Sequence, residues 1–136
     1  MSGQAERELH IGVRGKAACA VCAQNTASAM GSGDLPVFAT PALAACMERA
    51  AADSVRNLLP AGRTTVGVRL SLAHTAATPV GMHVRCESEL VAMDGRLLTF
   101  SIVGCDDAGE IGRAEHVRAI VDAERFLAKT EGKRDL

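Results

Sequence analysis

The segment from Thr40 to Leu59 constrains the fold most, because it carries the longest helical pattern in the chain. Thr40 is a residue type that caps helices, Pro41 suits the first helical position, and neither glycine nor proline interrupts the sequence beyond it. Apolar residues recur at helical spacing along one face, with alanines beside them: Leu43, Met47, Ala51, Val55 and Leu58. We therefore expect a helix from Pro41 to Leu59, capped by Thr40, that can lie close against a sheet.

Alternating apolar and polar residues follow this helix in runs that turn signals separate. The runs are Thr64 to Thr75, Met82 to Met93, Arg96 to Asp106 and Ile111 to Asp122. Asp94-Gly95 predicts a tight hairpin turn. A strand within Gly12–Cys22 and a short helix ending at Met30 are expected before the long helix, and residues 123–130 predict a terminal helix. This order predicts one α+β domain over residues 1–136, with an antiparallel sheet curled around the long helix.

Composition excludes several classes of function. The net charge is −1, basic and acidic residues are scattered, and phenylalanine is the sole aromatic type apart from histidine, so nucleic-acid binding is not expected. No apolar run approaches the roughly 20 residues that span a bilayer, and the polar N-terminus is unlike a signal peptide. We expect a cytoplasmic protein that does not bind membranes.

The five cysteines show no disulfide pattern, and reduced thiols are expected in a cytoplasmic chain. Cys19 and Cys22 form a CxxC motif within the predicted first strand, where residues three apart point to opposite faces. No second ligand pair accompanies them, and the four histidines lack the spacing of zinc motifs. We therefore expect no metal site.

His74 is the strongest candidate for a functional side chain. Counting back by twos along the predicted strand places it on the same face as Leu72, Leu70, Val68 and Val66. An imidazole on an apolar face is either a hydrogen-bonded core group or a group that takes part in chemistry. Strand parity alone leaves both interpretations open.

Glu48 and Thr40 are the candidates on the long helix. Glu48 borders the apolar stripe and has no oppositely charged residue three or four positions away, so it is either solvated or held near His74 as a base or an orienting group. The Thr40 hydroxyl either caps the helix or acts on a substrate at the helix N-terminus, with His74 as its base.

Arg118 is the candidate cation of the last predicted strand. It shares a face with Ala114, His116 and Ile120, whereas Val117, Ala119 and Val121 form the apolar face, so we expect Arg118 to point away from the main core. There it would meet an anionic ligand, a partner chain or a surface carboxylate. His10, His83 and His116 show no pattern that indicates chemistry.

Several motifs in one order resemble the hotdog-fold thioesterases of the fluoroacetyl-coenzyme A thioesterase type. The motifs are Pro36-Val37-Phe38-Ala39-Thr40-Pro41, Met47-Glu48, His74-Thr75-Ala76-Ala77-Thr78-Pro79-Val80-Gly81, Asp94-Gly95-Arg96, Asp107-Ala108-Gly109-Glu110-Ile111-Gly112 and Glu115-His116-Val117-Arg118-Ala119. The similarity covers most of the chain after about residue 12.

This resemblance implies a hotdog fold, a homodimer or larger homo-oligomer, and a substrate that lies at the subunit interface. It implies that Thr40, Glu48 and His74 form the catalytic set and that Gly67 and Arg118 line the acyl or coenzyme A site. It also implies hydrolysis of an acyl-CoA thioester with no separate cofactor, since coenzyme A is part of the substrate. Either Thr40 or a water molecule would be the nucleophile.

The segment Ser32–Pro36 departs from the family, because it replaces a phenylalanine-bearing, lid-like stretch associated with fluoroacetyl selectivity. We therefore expect a more general small or short-chain acyl-CoA substrate. The alternatives are a hotdog hydratase or dehydratase and a non-catalytic acyl-CoA-binding domain. Free-thiol release from acyl-CoA substrates would distinguish hydrolysis from both alternatives.

Overall fold

The computed structural model describes residues 8–136, and its elements follow the predicted order. The strands are β1 (Arg14–Ala20), β2 (Arg63–His74), β3 (His83–Asp94), β4 (Leu97–Cys105) and β5 (Glu110–Asp122). The helices are α1 (Ala27–Met30), α2 (Thr40–Arg56) and α3 (Ala123–Glu131), and 3₁₀ turns cover Ala23–Asn25 and Gly132–Asp135. Within the described residues, no helix is both long enough and apolar enough to cross a membrane.

The strands form one antiparallel sheet in the order β1-β3-β4-β5-β2, so that β1 and β2 are its edges. Helix α2 contacts all five strands from the inner face of this sheet. Leu43, Met47 and Val55 of α2 are fully buried against Leu98 and Phe100 of β4. The predicted α+β architecture, a curled antiparallel sheet around one long helix, is thereby confirmed.

Glycines on the inner face allow α2 to approach the sheet closely. A Cβ at Gly15 of β1 would meet the Ala50 backbone oxygen of α2 and would lie 2.9 Å from Ser88 Oγ. A Cβ at Gly104 would lie 3.1 Å from Leu43 Cδ1, and one at Gly112 would lie 3.2 Å from Leu43 Cδ2. At Gly15 the backbones of β1 and α2 therefore come together with no room for a side chain, and at Gly104 and Gly112 the sheet leaves the room that Leu43 of α2 fills.

The observed boundaries of α2 differ from the prediction at both ends. Ala39 is the N-cap and Thr40 is the first residue inside the helix, so the prediction that Thr40 caps α2 is wrong. The helix ends at Arg56 rather than Leu59, because the Leu58 N–H donates to the Val55 carbonyl in a tighter turn, at 3.0 Å.

The turn between β3 and β4 lies one residue later than predicted. Asp94 pairs with Leu97, so the two loop residues are Gly95 and Arg96 rather than Asp94 and Gly95. Gly95 occupies the first loop position and has φ of +58°, whereas Arg96 at the second position does not have a positive φ. A glycine at this position is typical of a type II′ hairpin turn.

A β-bulge in β2 changes which residues face α2. The register passes from Gly67 opposite Arg118 to Arg69 opposite Val117, which leaves Val68 as the extra residue. Leu70, Leu72 and His74 follow the predicted parity, but Val66 and Val68 lie on the outer face, and Val68 is 58% exposed. Counting by twos fails at Val68 because a bulge adds one residue to the alternation.

We expect Gly15→Ala to destabilise the protein by about 1–3 kcal/mol, since the new methyl group would overlap the backbone of α2. Urea unfolding followed by circular dichroism measures this change in the free energy of unfolding. Gly132→Ala is the matched control, because a Cβ at Gly132 meets no atom within 4 Å. Equal stability of the two variants would contradict the close approach of β1 to α2.

Candidate active site

Backbone hydrogen bonds join the start of α2 to the end of β2. The Phe38 N–H donates to the Thr78 carbonyl at 2.9 Å, and Val37 forms an isolated bridge with Pro79. On the other side of this loop, the Thr75 N–H donates to the Ile111 carbonyl at 2.8 Å. These contacts fix the first turn of α2 beside the last residue of β2.

The buried pair Thr78 and Asp106 supports the same loop. Thr78 Oγ1 donates to Asp106 Oδ2 at 2.7 Å, and Asp106 Oδ1 accepts from the backbone N–H groups of Ala108 and Gly109 at 2.8 and 3.1 Å. The hydrogen bond from Thr78 is the largest cause of a lowered pKa of Asp106, and the bonds from the two backbone N–H groups act in the same direction. Thr78 thus has a structural role within the motif that begins at His74.

Thr40 and His74 form a hydrogen-bonded pair at the helix N-terminus. Thr40 Oγ1 lies 2.7 Å from His74 Nδ1. No side chain caps α2, so the Thr40 hydroxyl is not used for capping. Thr40 is exposed, whereas His74 is half-buried, so the hydroxyl can reach both the imidazole and a ligand.

The second ring nitrogen of His74 is buried and has no hydrogen-bond partner among the described residues. Burial lowers the pKa of His74, and the backbone of Ala76 offsets this shift in part. If Thr40 donates to Nδ1, the neutral imidazole carries its proton on Nε2. An acceptor such as a carboxylate would then complete a hydroxyl–imidazole–acid arrangement.

A pocket of about 270 Å³ lies beside this pair. Its lining combines Thr40 and His74 with Ala27, Ser32, Val37, Phe38 and residues 75–77. The segment Ser32–Pro36, which departs from the resembled family, therefore contributes one wall.

Glu48 belongs to a second cluster around Gly67. A Cβ at Gly67 would lie 3.1 Å from Glu48 Oε2, 3.5 Å from His116 Cε1 and 3.6 Å from Arg118 Nη1. Burial lowers the pKa of both His116 and Arg118, and the nearby Glu48 carboxylate opposes this shift in each. Gly67 therefore leaves the space in which a carboxylate, an imidazole and a guanidinium converge.

Arg118 lies on the inner face, so the prediction that it points away from the main core is wrong. It is 9% exposed, and it donates through Nε to Thr65 Oγ1 at 2.8 Å and through Nη2 to the Thr65 carbonyl at 3.0 Å. Val117, Ala119 and Val121 lie on the opposite, outer face, where Ala119 and Val121 lie near α3. Apolar character on both faces of β5 made parity an unreliable guide to the core face.

Sequence reasoning missed His116, which is fully buried. Its Nε2 lies 3.1 Å from Arg118 Nη1 and therefore accepts from that donor, which leaves Nδ1 to donate to the Arg69 carbonyl at 2.8 Å. These two bonds fix a neutral tautomer. The signal available in the sequence was that His116 shares a strand face with Arg118.

Within one chain, the two clusters do not meet. Thr40 and Glu48 are eight residues apart, which is about 12 Å along a helix axis. Thr40 bonds His74, whereas the Glu48 carboxylate lies beside Gly67, His116 and Arg118. The structure thus brings Thr40 to His74, and Glu48 to Gly67 and Arg118. In the part of the chain described, no group of three or more His, Cys, Asp or Glu residues could hold a metal ion.

Solved structures with the same architecture include thioesterases. A Thermus thermophilus hypothetical protein of the thioesterase superfamily superposes with a TM-score of 0.87 at 21% identity, over 95% of this chain and 96% of that one. A solved structure of the fluoroacetyl-CoA thioesterase gives a TM-score of 0.85 at 30% identity, over 92% of this chain and 97% of that one. The fold is that of the hotdog-fold thioesterases.

Sequence comparison narrows this class to one family. The model of the fluoroacetyl-CoA-specific thioesterase family matches residues 21–124. A fluoroacetyl-CoA thioesterase from Streptantibioticus cattleyicolor is 36% identical over 97 residues, which cover 71% of this chain and 70% of that protein. The chain belongs to the fluoroacetyl-CoA-specific thioesterase family, which confirms the resemblance predicted from its motifs.

Proposed function

We propose that this protein hydrolyses a small acyl-CoA thioester to the free acid and coenzyme A. The hydrogen bond between Thr40 Oγ1 and His74 Nδ1, at 2.7 Å, carries the proposal because it joins a hydroxyl to a base. Membership of a thioesterase family supports the same reaction. All the groups used belong to this chain or to water, and coenzyme A is part of the substrate.

Two features support a small acyl group. The pocket beside Thr40 and His74 has a volume of about 270 Å³, at the lower end of small-molecule sites. A related thioesterase variant, with a TM-score of 0.86 to this chain at 30% identity, has been solved in complex with acetyl-CoA. The altered segment Ser32–Pro36 lines this pocket through Ser32, and supports a substrate range that is not restricted to fluoroacetyl-CoA.

The chemistry follows from the positions of Thr40 and His74. His74 accepts a proton from either the Thr40 hydroxyl or a water molecule, the resulting oxygen nucleophile bonds to the thioester carbon, and the carbon–sulfur bond breaks. The departing thiolate takes up a proton to form coenzyme A. If Thr40 attacks, water then hydrolyses the acyl–threonine ester. The N-terminus of α2 favours the negative charge that develops on the carbonyl oxygen.

We further propose that two copies of the chain form each site. Edge strand β2 has β5 on one side, and no described strand pairs with its other side. Antiparallel pairing of two β2 strands about their middle would set the C-terminal half of one, which ends at His74, beside the N-terminal half of the other, which includes Gly67. Glu48 of one copy would then approach the unpaired Nε2 of His74 in the second copy.

This arrangement assigns a role to each predicted residue. Thr40 supplies the hydroxyl and His74 the base. Glu48 accepts a hydrogen bond from the imidazole or stabilises its positive charge. Arg118 and Gly67 position the Glu48 carboxylate. We also propose a cytoplasmic location, in keeping with five cysteines that are all free thiols.

Free-thiol release from a panel of short acyl-CoA substrates tests the reaction. We expect His74→Ala and Glu48→Gln to lower kcat by about 10²-fold or more, since each removes a group that moves or stabilises a proton. Thr40→Ala should lose activity to a similar extent if Thr40 attacks, whereas Thr40→Ser should retain it.

Glu87→Gln is the matched control for Glu48→Gln, because Glu87 is an exposed carboxylate on β3. Near-normal turnover by Thr40→Ala would assign the attack to water. Binding of every acyl-CoA by the wild type with no thiol release would contradict hydrolysis itself.

The pH profile of kcat/KM should show an acid limb with its midpoint below about 6.5, the usual pKa of histidine. His74 must be neutral to accept a proton, and burial lowers its pKa, so activity persists at pH 6.5 and falls only as more acid protonates the ring. His83→Gln, which removes an exposed histidine, should keep the same limb. A profile without an acid limb would contradict His74 as the base, whereas a midpoint above 6.5 would indicate that the carboxylate of the second copy's Glu48 outweighs the effect of burial.

Mixing inactive variants tests the shared site. If Glu48 acts on the second copy, random exchange of Glu48→Gln with His74→Ala should restore about a quarter of wild-type activity, since half of the dimers then hold one intact site of two. Mixing Thr40→Ala with His74→Ala is the control and should restore nothing, because both lesions lie in the same cluster. Activity is measured after unfolding and refolding the mixture, with dimer content measured by light scattering. A monomer, or no rescue in either mixture, would contradict a site shared between copies.

A further inference from the structure

A larger cavity lies on the outer face of the sheet, on the side away from α2. This outer groove has a volume of about 700 Å³ and runs between α3 and the paired strands β2 and β5. The proposed hydrolysis uses no residue of this groove. Its size is within the range of sites that hold a drug-sized or nucleotide-sized ligand.

Cations surround the outer groove. They are Arg63, Arg96, Arg125, Lys129 and Lys133, and all five are exposed. None of them forms an ion pair within residues 8–136, whereas six other arginines do. Asp122 is the one acidic residue of the described lining, and it accepts from the Arg125 backbone N–H as the N-cap of α3. The outer groove therefore carries an excess of unpaired positive charge in a chain whose net charge is −1.

The spacing along the C-terminal segment directs these cations to one side. Arg125, Lys129 and Lys133 recur at every fourth position, so they lie on one face of α3 and its 3₁₀ extension. Arg63 and Arg96 face them from the start of β2 and from the β3–β4 turn. Cations thus approach the groove from two sides.

Apolar side chains form the floor between the cations. Val66, Val68, Val121 and Phe126 line the outer groove, and Val68 and Phe126 are 58% and 41% exposed. Exposed apolar surface beside convergent charged groups is typical of a binding site for a ligand with an apolar ring and an anionic part.

We propose that the outer groove binds the 3′-phosphorylated adenosine diphosphate end of coenzyme A. The adenine ring would pack on Val68 and Phe126, and the phosphates would pair with the arginines and lysines. The 3′-phosphomonoester alone carries close to two negative charges, and guanidinium groups bind phosphate with paired hydrogen bonds. This inference rests on the proposed function, because it identifies how the leaving group of that reaction is held.

The position of the outer groove fits this assignment. Val66 and Val68 flank Gly67, whose inner face meets Glu48, so a single strand separates the groove from the second cluster. In the proposed β2 pairing, the Arg63 end of one strand lies next to the His74 end of the other copy. The pantetheine arm would therefore pass around the end of a strand to reach the Thr40–His74 pair of the second copy.

Two thioesters with the same acyl group distinguish an effect on nucleotide binding in the groove from an effect on the reaction. Acyl-CoA carries the nucleotide, and the acyl thioester of N-acetylcysteamine lacks it. The measured quantity is kcat/KM for acyl-CoA divided by kcat/KM for the truncated thioester. In the double variant Arg125→Ala/Lys129→Ala this ratio should fall on the order of tenfold, because KM for acyl-CoA rises. The fall should shrink as salt is raised, since exposed charges are screened.

Arg14→Ala/Lys16→Ala is the matched control, because it removes the same charge from the opposite edge strand β1 and should leave the ratio unchanged. Equal losses with both thioesters, or an unchanged ratio in Arg125→Ala/Lys129→Ala, would overturn the inference. A changed oligomeric state of that variant would also overturn it, because the groove would then be a contact between copies.

Direct binding keeps this inference separate from the proposed function. Calorimetry should detect adenosine 3′,5′-bisphosphate bound to the wild type and about tenfold weaker binding to Arg125→Ala/Lys129→Ala. A wild type that binds this bisphosphate but hydrolyses no thioester would contradict the proposed function and support the groove. A wild type that hydrolyses acyl-CoA but does not bind the bisphosphate would support the proposed function and contradict the assignment of the groove.

Discussion

The close contact between α2 and the sheet is the constraint on which the rest of the structure depends. Gly15, Gly104 and Gly112 lie where a Cβ would run into the backbone of the helix or into Leu43. With the helix held at this distance, Leu43 and Met47 are fully buried and Glu48, the next residue, comes to the edge of the core beside Gly67. The same packing places the first turn of α2 next to the end of β2, where Thr40 meets His74. Small residues in the core thus determine the positions of both polar clusters.

Much of the fold followed from patterns that are local in the sequence. The helical stripe from Leu43 to Val55 and the alternating runs after it predicted the element order and the antiparallel sheet, because one face of each element had to be buried. The errors lie where a single residue changes the geometry. The start of α2 depended on whether Thr40 or Ala39 was the last non-helical residue, and the capping propensity of threonine gave the wrong answer because its hydroxyl bonds His74 instead.

The site was less accessible from the sequence than the fold. Strand parity placed His74 toward α2 and thereby found its neighbour, but it placed Arg118 on the wrong face, because apolar residues of β5 line both sides of the sheet. His116 was missed for the same reason. The spacing between Thr40 and Glu48 could have warned that one chain does not bring them together, since eight residues of helix separate them by about 12 Å. In the proposed pairing of two copies, the carboxylate that completes the His74 arrangement comes from the second copy, and no pattern within one chain encodes it directly.

The bulge at Val68 gives β2 a property that residue identity alone does not describe. On its C-terminal side the strand turns Leu70, Leu72 and His74 inward, and on its N-terminal side it turns Gly67 inward and Val66 outward. One strand therefore carries two alternation phases joined at a single extra residue. Deletion of Val68 would restore uniform alternation and leave Gly67 inside and Val66 outside. Loss of the bulge without a deletion would exchange these faces, with Val66 against the Glu48 carboxylate and Gly67 outside. With β2 at its present length, the bulge itself keeps Gly67 beside Glu48, and the identity of the side chain at position 68 has no part in this.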